Sequence, residues 1–315
     1  MDLVRAVAFL LAAGSALGAT LALGGAFSDK LDIFAQATPL WLAASLAALA
    51  LQSVAGFGTG RGTATLAIWT LALCAFLMGP DVIARLSAPR AAPARQTIKV
   101  IQFNVWDRNR DPAATARWIL AEAADVVVLE ETGEGAVPAL LTRDYPYRTQ
   151  CGDDCATIIL SKSPPVDGGV IAWAGLGPRH GGAWASFGQG ADAYTVAGTH
   201  YRWPVPAGPQ EDQARRFAQA IARFDRQSLI VAGDFNLNPW SFGLRRQDAR
   251  FAIPRITHAT FTWPAGRISH WRVTFPFPFL AVDQIYAGHG WRPVSIERGP
   301  ALGSDHYPIV AVLTR

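Results

Sequence analysis

The sequence predicts an α+β fold: a globular domain of two β-sheets packed together with helices outside, carried behind three membrane-spanning helices. Three observations predict it. Half of the 315 residues are apolar, only 17% are charged, and the mean hydropathy is +0.18, which is unusual for a wholly soluble chain. From residue 98 onward, short apolar runs of strand length outnumber helical stretches and follow one another in mid-chain, which suits packed sheets better than a strict βαβ array. Several of those runs end in Asn, Glu, Asp or His, and a buried strand that ends in such residues needs a reason, because unpaired polar groups are costly in a core.

Residues 6–27, 39–58 and 63–79 carry no charge. Each is close to the roughly 20 apolar residues that span a bilayer. The first could instead be a signal peptide with Arg5 as its basic end, but its apolar run is long for that and two similar segments follow. Gly14, Ser15, Gly18 and Ala22 give it the small residues of packed membrane helices. The connections, Ser28–Thr38 and Thr59–Gly62, are short, so the helices are antiparallel neighbours. No charge inside a span suggests transport or a proton relay. Residues 85–97, rich in Pro, Ala and Arg, read as a linker, and 98–315 suit one domain.

Ile98–Val105 opens that domain as a strand. Asp111 and Pro112 start a helix to about Ala123, Asp as cap and Pro in the first position. Asp125–Glu131 is a buried strand ending in two carboxylates, and Thr157–Ser161 is another. Ala183–Phe187 and Ala193–Thr199 read as a strand pair. Gln210 to about Phe224 is helical, the strand at 229–233 follows, and Val282–Tyr286 and Ile309–Leu313 close the set. Residues 98–315 hold 22 Lys+Arg against 20 Asp+Glu, which is not the dense basic surface of a dedicated nucleic-acid binder. The three cysteines, Cys74, Cys151 and Cys155, make neither a disulfide framework nor a zinc spacing.

The organising stretch is Leu229–Trp240, Leu-Ile-Val-Ala-Gly-Asp-Phe-Asn-Leu-Asn-Pro-Trp. An apolar strand ends at Gly233. Asp234 and Asn236, two apart in extended chain, then project to one side. A carboxylate can take a proton from water or hold a metal, and an amide can fix an oxygen without adding charge. A plain turn is the alternative reading. The other strand-end polar residues are Asn104, Glu130 and Glu131, Thr199 and His200, Asp283, and Ser304-Asp305-His306. Each has its own structural explanation: Asn104 as a turn cap, Glu131 in a surface ion pair, His200 as a satisfied core histidine, Asp283 as a loop anchor.

Taken together, the order Asn, Glu, Thr-His, Gly-Asp-x-Asn, Asp, Ser-Asp-His resembles the endonuclease/exonuclease/phosphatase superfamily, with Gly-Asp-Phe-Asn and Ser-Asp-His-Tyr-Pro as its most specific parts. The resemblance covers essentially all of 98–315. The apolar N-terminal third lies outside it and is similar to the membrane-anchored bacterial branch. The resemblance implies a four-layer α/β sandwich of the DNase I-like kind and metal-dependent phosphoester hydrolysis by activated water, with Mg²⁺ as cofactor or Mn²⁺ in its stead. It implies that Glu131 is a metal ligand, supported by Asn104 and with Asp305 near the metal. Glu130 replaces the family's usual Gln. Asp234 and Asn236 match the pair that orients water and phosphate, His306 the histidine facing the scissile phosphate, Asp283 the carboxylate that holds it, and His200 the histidine of DNase-like members. Whether Asp234 or His306 is the water's base stays open. The physics agrees: a phosphodiester gains charge on attack, so donors and cations must face its oxygens, and Mg²⁺ wants a few oxygen ligands.

Nucleic acid and phospholipid headgroups are the two substrate classes expected. Tyr201 and Arg202, beside His200, and Arg272, in the basic-aromatic stretch Arg267–Phe279, are the substrate-binding candidates, with a packed Pro-rich loop as the alternative for that stretch. A catalytically inactive tethered binding module is the alternative of another class, and the intact motif positions argue against it. The bilayer is the expected partner, with no protein partner. For sidedness, Arg5 and Arg61 flank one face and Lys30, Arg85, Arg90, Arg95 and Lys99 the other, which would put the domain in the cytoplasm. Cys151-Gly-Asp-Asp-Cys155 reads as a small disulfide loop of an oxidising compartment, the alternative being two unpaired thiols. With the linker charges discounted, the expectation is a multi-pass protein of the cell (inner) membrane with its domain outside the cytoplasm.

Overall fold

The computed structural model describes residues 1–56, 60–133, 135–150, 157–171, 181–268 and 273–315. Cys151, Cys155 and Arg272, and with them the disulfide expectation, lie outside the described residues. The chain divides into two compact units.

The first unit comprises Met1–Ser87, Pro204–Gly208 and Leu237–Arg246. Three of its helices are long and apolar enough to cross a membrane: α1 (Asp2–Leu23), α3 (Thr38–Ala55) and α4 (Arg61–Ser87). One small residue from each, Ala12, Ala48 and Ala67, meets in their shared core. A Cβ on Gly18 would lie 2.6 Å from the Trp41 ring, so the glycine is what lets that indole close on α1. The side chains left outside are large and apolar, among them Leu10, Leu17, Leu46, Ile68 and Phe76. Small inside and large apolar outside is the inverse of a water-soluble bundle. The connection Ser28–Thr38 contains a helix, α2 (Asp29–Gln36), started by acidic first-turn residues after an extended Ser28. The helix that carries the third span continues past Gly79, through Pro80, to Ser87.

The second unit comprises Ala88–Trp203, Pro209–Asn236 and Gln247–Arg315. Its elements in chain order are β1 (Thr97–Asn104), α5 (Pro112–Glu122), β2 (Val126–Glu130), α6 (Ala136–Leu141), β3 (Tyr147–Gln150), β4 (Ile158–Ser161), β5 (Asp167–Ile171), β6 (Gly182–Phe187), β7 (Tyr194–His200), α7 (Pro209–Ile221), β8 (Leu229–Asp234), α8 (Phe242–Phe251), which starts in the first unit, the ribbon β9 (Arg267–Ile268) and β10 (Val273–Thr274), then β11 (Asp283–Ala287), β12 (Arg292–Arg298) and β13 (Ile309–Thr314). Six strands form one sheet in the order β12-β13-β1-β2-β4-β3, and five form the other in the order β11-β8-β7-β6-β5. Only β1/β2 and β7/β8 are parallel pairs within these sheets.

Alternation along the strands sorts the layers. Ile98 and Val100, Val126 and Val128, Ile230 and Ala232, and Ile285 and Ala287 fill the core between the sheets. Their neighbours Ile101, Phe103, Val127 and Leu129 face the other way, against Ala116 and Ile119 of α5 and Val137 and Leu141 of α6. Across the second sheet, Phe217 of α7 and Phe251 of α8 join the rings of Tyr201, Phe235 and Tyr286. The result is the expected four-layer sandwich. The expected 85–97 linker is shorter than read: beyond α4, Ala91 N–H donates to Pro293 O, Ala94 N–H to Thr314 Oγ1 and Gln96 N–H to Arg315 O. The segment is thus tied along β12 and β13 instead of hanging free.

Candidate active site

The same alternation builds the site. The inner-face positions continue from Ile98 and Val100 to Gln102 and Asn104, from Val128 to Glu130, from Val196 and Gly198 to His200, from Ile230 and Ala232 to Asp234, and back from Ile285 to Asp283. Each strand is apolar through the core and polar at one end, and the pairing register lines those ends up: Asn104 beside Glu130, His200 beside Asp234, Asp234 beside Asp283. Gly198 has room for no side chain, since a Cβ there would sit 2.7 Å from Val128 Cγ1; the facing strands close tightly just behind the polar end.

Turns then bend two further groups inward. Glu131 follows β2 with φ +49° and Asn236 follows β8 with φ +49°, left-handed conformations that non-glycine residues adopt rarely and mostly where the surroundings hold them. Asn236 N–H donates to Asp234 Oδ1 (2.9 Å) and its Nδ2 to the Tyr201 carbonyl (2.8 Å). Helix α7 pins the same turns: Gln213 accepts Arg202 N–H and donates to His200 O, and Gln210 donates to Arg202 O and Phe235 O.

Two groupings result. In the first, ligand atoms of Glu131, His200 and Asp234 all lie within 4.8 Å of one another. Asn104 Nδ2 donates to Glu131 Oε1 (3.0 Å) and Asp234 Oδ2 (3.0 Å), while its Oδ1 accepts Trp106 N–H. Asn104 therefore orients the two carboxylates, with its amide nitrogen toward the centre. His200 Nε2 is 3.5 Å from Glu131 and 3.3 Å from Asn236 Nδ2. In the second, Asp234, Asp283 and His306 meet. Asp283 Oδ2 lies 2.8 Å from His306 Nδ1, and its Oδ1 accepts from Gln102 Nε2, which also donates to Glu130 Oε2. His306 Nε2 is 3.6 Å from Asp234 Oδ2, too long for a direct hydrogen bond. Ser304 Oγ donates to the Asn104 carbonyl and accepts His306 N–H, which ties the histidine's turn to β1.

Burial and charge set the protonation states. Burial alone would lower the His306 pKa, but the Asp283 and Asp234 carboxylates more than offset it and hold the imidazole well above its ordinary value. Burial, with Asp283 nearby, pushes Asp234 up to about 6 against the pull of His306 and His200. Burial, then the Asp283 and Asp234 charges, keep Glu130 well above the carboxylate range. Asp305 is raised, chiefly by burial and then, against the pull of His306, by the Glu131 charge. Among the described residues Asp305 joins neither grouping; its Oδ2 accepts from Trp263 Nε1 at 3.4 Å.

A divalent cation fits this donor set. Carboxylates of Glu131 and Asp234 converge with an amide steering both, and the neighbouring Asp283 adds negative charge that a hard cation would relieve. The substrate-contact expectation for Tyr201 needs correction: its ring is fully buried in the outer aromatic layer, because it is one residue past the inner-face His200. It serves the site through its carbonyl. Arg202 is half-buried. Two residues join the site without having stood out in the sequence, Gln102 and Trp263. Gln102 had a signal: it sits two residues before Asn104, on the alternation that a strand imposes.

Comparison with known proteins adds the following. A model of the Endonuclease/Exonuclease/phosphatase family matches residues 101–306. No curated protein matches the sequence. Among solved structures, D. rerio TDP2 complexed with single strand DNA product is 18% identical with a TM-score of 0.56, and the match covers 70% of this chain and 100% of that one. A mutant of beta toxin from Staphylococcus aureus with bound magnesium ions is 17% identical with a TM-score of 0.55, over 70% and 100% of the two chains. Sphingomyelinase C from Streptomyces griseocarneus is 22% identical with a TM-score of 0.51, also over 70% and 100%. At these identities the likeness is one of fold.

Proposed function

This chain belongs to the Endonuclease/Exonuclease/phosphatase family, whose members hydrolyse phosphoester bonds, and from that premise we propose that it is a membrane-anchored, divalent-metal-dependent phosphodiesterase of nuclease-like activity. The observation that carries the proposal is the meeting of the Glu131/His200/Asp234 and Asp234/Asp283/His306 groupings at one carboxylate. Glu131 would hold the ion, with Asn104 steering it and Asp305 near by. Mg²⁺ there would act as Lewis acid on a phosphate oxygen.

The chain's own residues supply the rest. His306, held charged by the Asp283 and Asp234 carboxylates, would donate from Nε2–H to a phosphate oxygen as charge builds. Asp283 holds Nδ1 and so fixes the ring. Asp234, raised to about 6, is ionised at neutral pH yet basic enough to take a proton from water. Asn236 and His200 orient the water and the phosphate. His306 as base is the less favoured assignment, since an imidazole kept charged has no proton vacancy.

A second reading, a lipid-headgroup phosphoesterase, is favoured by one surface. Trp203, Val273 and Phe277 are exposed. Trp203 stands edge-on to Trp263, whose indole reaches Asp305, and Phe275 and Phe279 pack around it. An apolar rim next to the site suits a lipid substrate. The test uses the full chain in detergent with Mg²⁺ and bis-p-nitrophenyl phosphate, plasmid, single-stranded DNA, RNA, sphingomyelin and phosphoinositides. Hydrolysis of nucleic acid supports the first reading and of lipid the second; no hydrolysis of any ester leaves the binding module.

We place the protein in the cell membrane with its catalytic domain outside the cytoplasm. Arg95 pairs with Asp192 and Lys99 with Glu122. Both cations are thus engaged within the domain, which supports leaving them out of the flanking-charge count.

A further inference from the structure

The anchor of such an enzyme needs only to tether it, yet α2 carries two nearly buried polar residues whose partners are in the chain just beyond the catalytic strand. Both belong to the first unit, as does Leu237–Arg246. Asp32 accepts the N–H of Phe242 through Oδ1 (2.8 Å) and of Gly243 through Oδ2 (2.7 Å). These are the first two donors of α8, which have no partner within their own helix. Gln36 Oε1 accepts Asn238 N–H (2.9 Å) and Asn238 Nδ2 (2.7 Å). Arg246 reaches back to Asp29 and to the Gly25 carbonyl, and Arg245 to the Leu77 carbonyl. A Cβ on Gly25 would lie 2.8 Å from the Phe242 ring, so this contact is packed as well as hydrogen-bonded.

A carboxylate 5% exposed is costly unless its bonds are kept, and a plain connecting helix would have no use for one. One residue, Leu237, separates Asn238 from Asn236. With Asn238 fixed by Gln36 and α8 started by Asp32, the loop has little freedom, and Asn236 and Asp234 inherit that restraint through the backbone.

We propose that α2 is a positioning element for the active site: Asp32 and Gln36 are positioning residues that hold Leu237–Arg246, and through it the Asp234/Asn236 pair, in working geometry. The kinetic half of this proposal rests on the phosphoesterase reading; the structural half does not. The membrane anchor then forms part of the enzyme's machinery, and catalysis depends on it even for a water-soluble substrate.

The test is made on the full chain in detergent with Gln36→Met, which keeps volume and removes the acceptor, and Asp32→Asn, with Gln36→Met deciding if Asp32→Asn does not fold. Two readouts are taken: kcat and KM on bis-p-nitrophenyl phosphate, and amide hydrogen exchange along the chain. The expected result is a fall in kcat of about tenfold or more, since small misplacements of reacting groups are costly, with KM changed by less than about twofold. Exchange should quicken in 234–246 and stay unchanged in β1, β2 and β13. Unchanged exchange in 234–246, or quickened exchange with unaltered kcat, overturns the proposal. A wild-type chain inactive on every ester sinks the phosphoesterase reading instead, and exchange alone then decides whether α2 holds the loop.

Discussion

Replacing Asp283 by Asn keeps the shape of the buried dyad and removes its charge. The carboxylate is fully buried, with one oxygen on His306 Nδ1 and the other on Gln102 Nε2. If the introduced amide keeps its oxygen on Gln102, its NH₂ faces Nδ1, which must then accept, and the ring is forced neutral. A hydrogen bond to a charged group is worth about 1.5–3 kcal/mol, so the charged-to-neutral ratio of His306 falls by roughly ten- to a hundredfold. In the wild type the imidazolium persists below its raised pKa and is lost as pH rises through it, so the alkaline limb of kcat/KM lies above the ordinary histidine range. With Asp234 as the proposed base, the acid limb follows its carboxyl, which burial raises above the ordinary carboxylate range. In Asp283→Asn the burial that lowers the His306 pKa is no longer opposed by Asp283, and the alkaline limb moves to lower pH. The loss is therefore largest at alkaline pH, about 10²-fold, and smaller toward the acid limb. Thermal melts should show the stability deficit greatest below the unfolded histidine value of 6.5 and shrinking as pH rises through the raised folded value. The assay is kcat/KM on bis-p-nitrophenyl phosphate across pH. An alkaline limb that does not move would mean that Asp283 does not hold the charge on His306.

Glu131→Gln should lose most activity, about 10²-fold or more, with an unchanged melting temperature and a higher Mg²⁺ requirement; a Mg²⁺ titration superimposing on wild type speaks against Glu131 as ligand. Gly198→Ala should cost about 1–3 kcal/mol by overpacking against Val128, read as a drop of several degrees in Tm. A C-terminal alkaline phosphatase fusion should be active and a C-terminal green fluorescent protein fusion dark; the reverse pattern puts the domain in the cytoplasm.

The strands that carry the site are legible in the sequence because they are central and doubly covered, so their apolar runs are unbroken: Val126–Leu129 and Leu229–Ala232 read as strands from residue type alone. The edge elements do not. β5 begins Asp-Gly-Gly, and β12 is Arg-Pro-Val-Ser-Ile-Glu-Arg with no buried residue; only their partners make them strands. Helix α2 escapes sequence reading because eight mixed residues in a short connection have little helical signal alone; its reason is Asn238 and α8, some two hundred residues away. Gln102 hides inside an apolar lead-in, and Tyr201 resembles a substrate contact only because it adjoins His200. Strict counting by two from Asn104 and from His200 corrects both.

What that counting exposes is how the fold tolerates the candidate site. Glu130, Glu131, Asp234 and Asp283 end buried or half-buried at one edge of an apolar sandwich, a concentration of acid that would oppose folding if left alone. Three amides meet it. Gln102 bridges Glu130 to Asp283, Asn104 bridges Glu131 to Asp234, and the Asn236 backbone donates to Asp234 while its side chain ties down the Tyr201 carbonyl. Neutral donors satisfy lone pairs without cancelling charge, so the site stays negative enough to draw a cation while each carboxylate keeps a fixed orientation. One protonated histidine on Asp283 removes the charge that the amides leave on the side facing away from Glu131. The acids determine what the site can do, and the amides allow those acids to sit there: Gln102→Leu should therefore damage stability as well as activity, since it leaves two buried carboxyl groups without their shared donor.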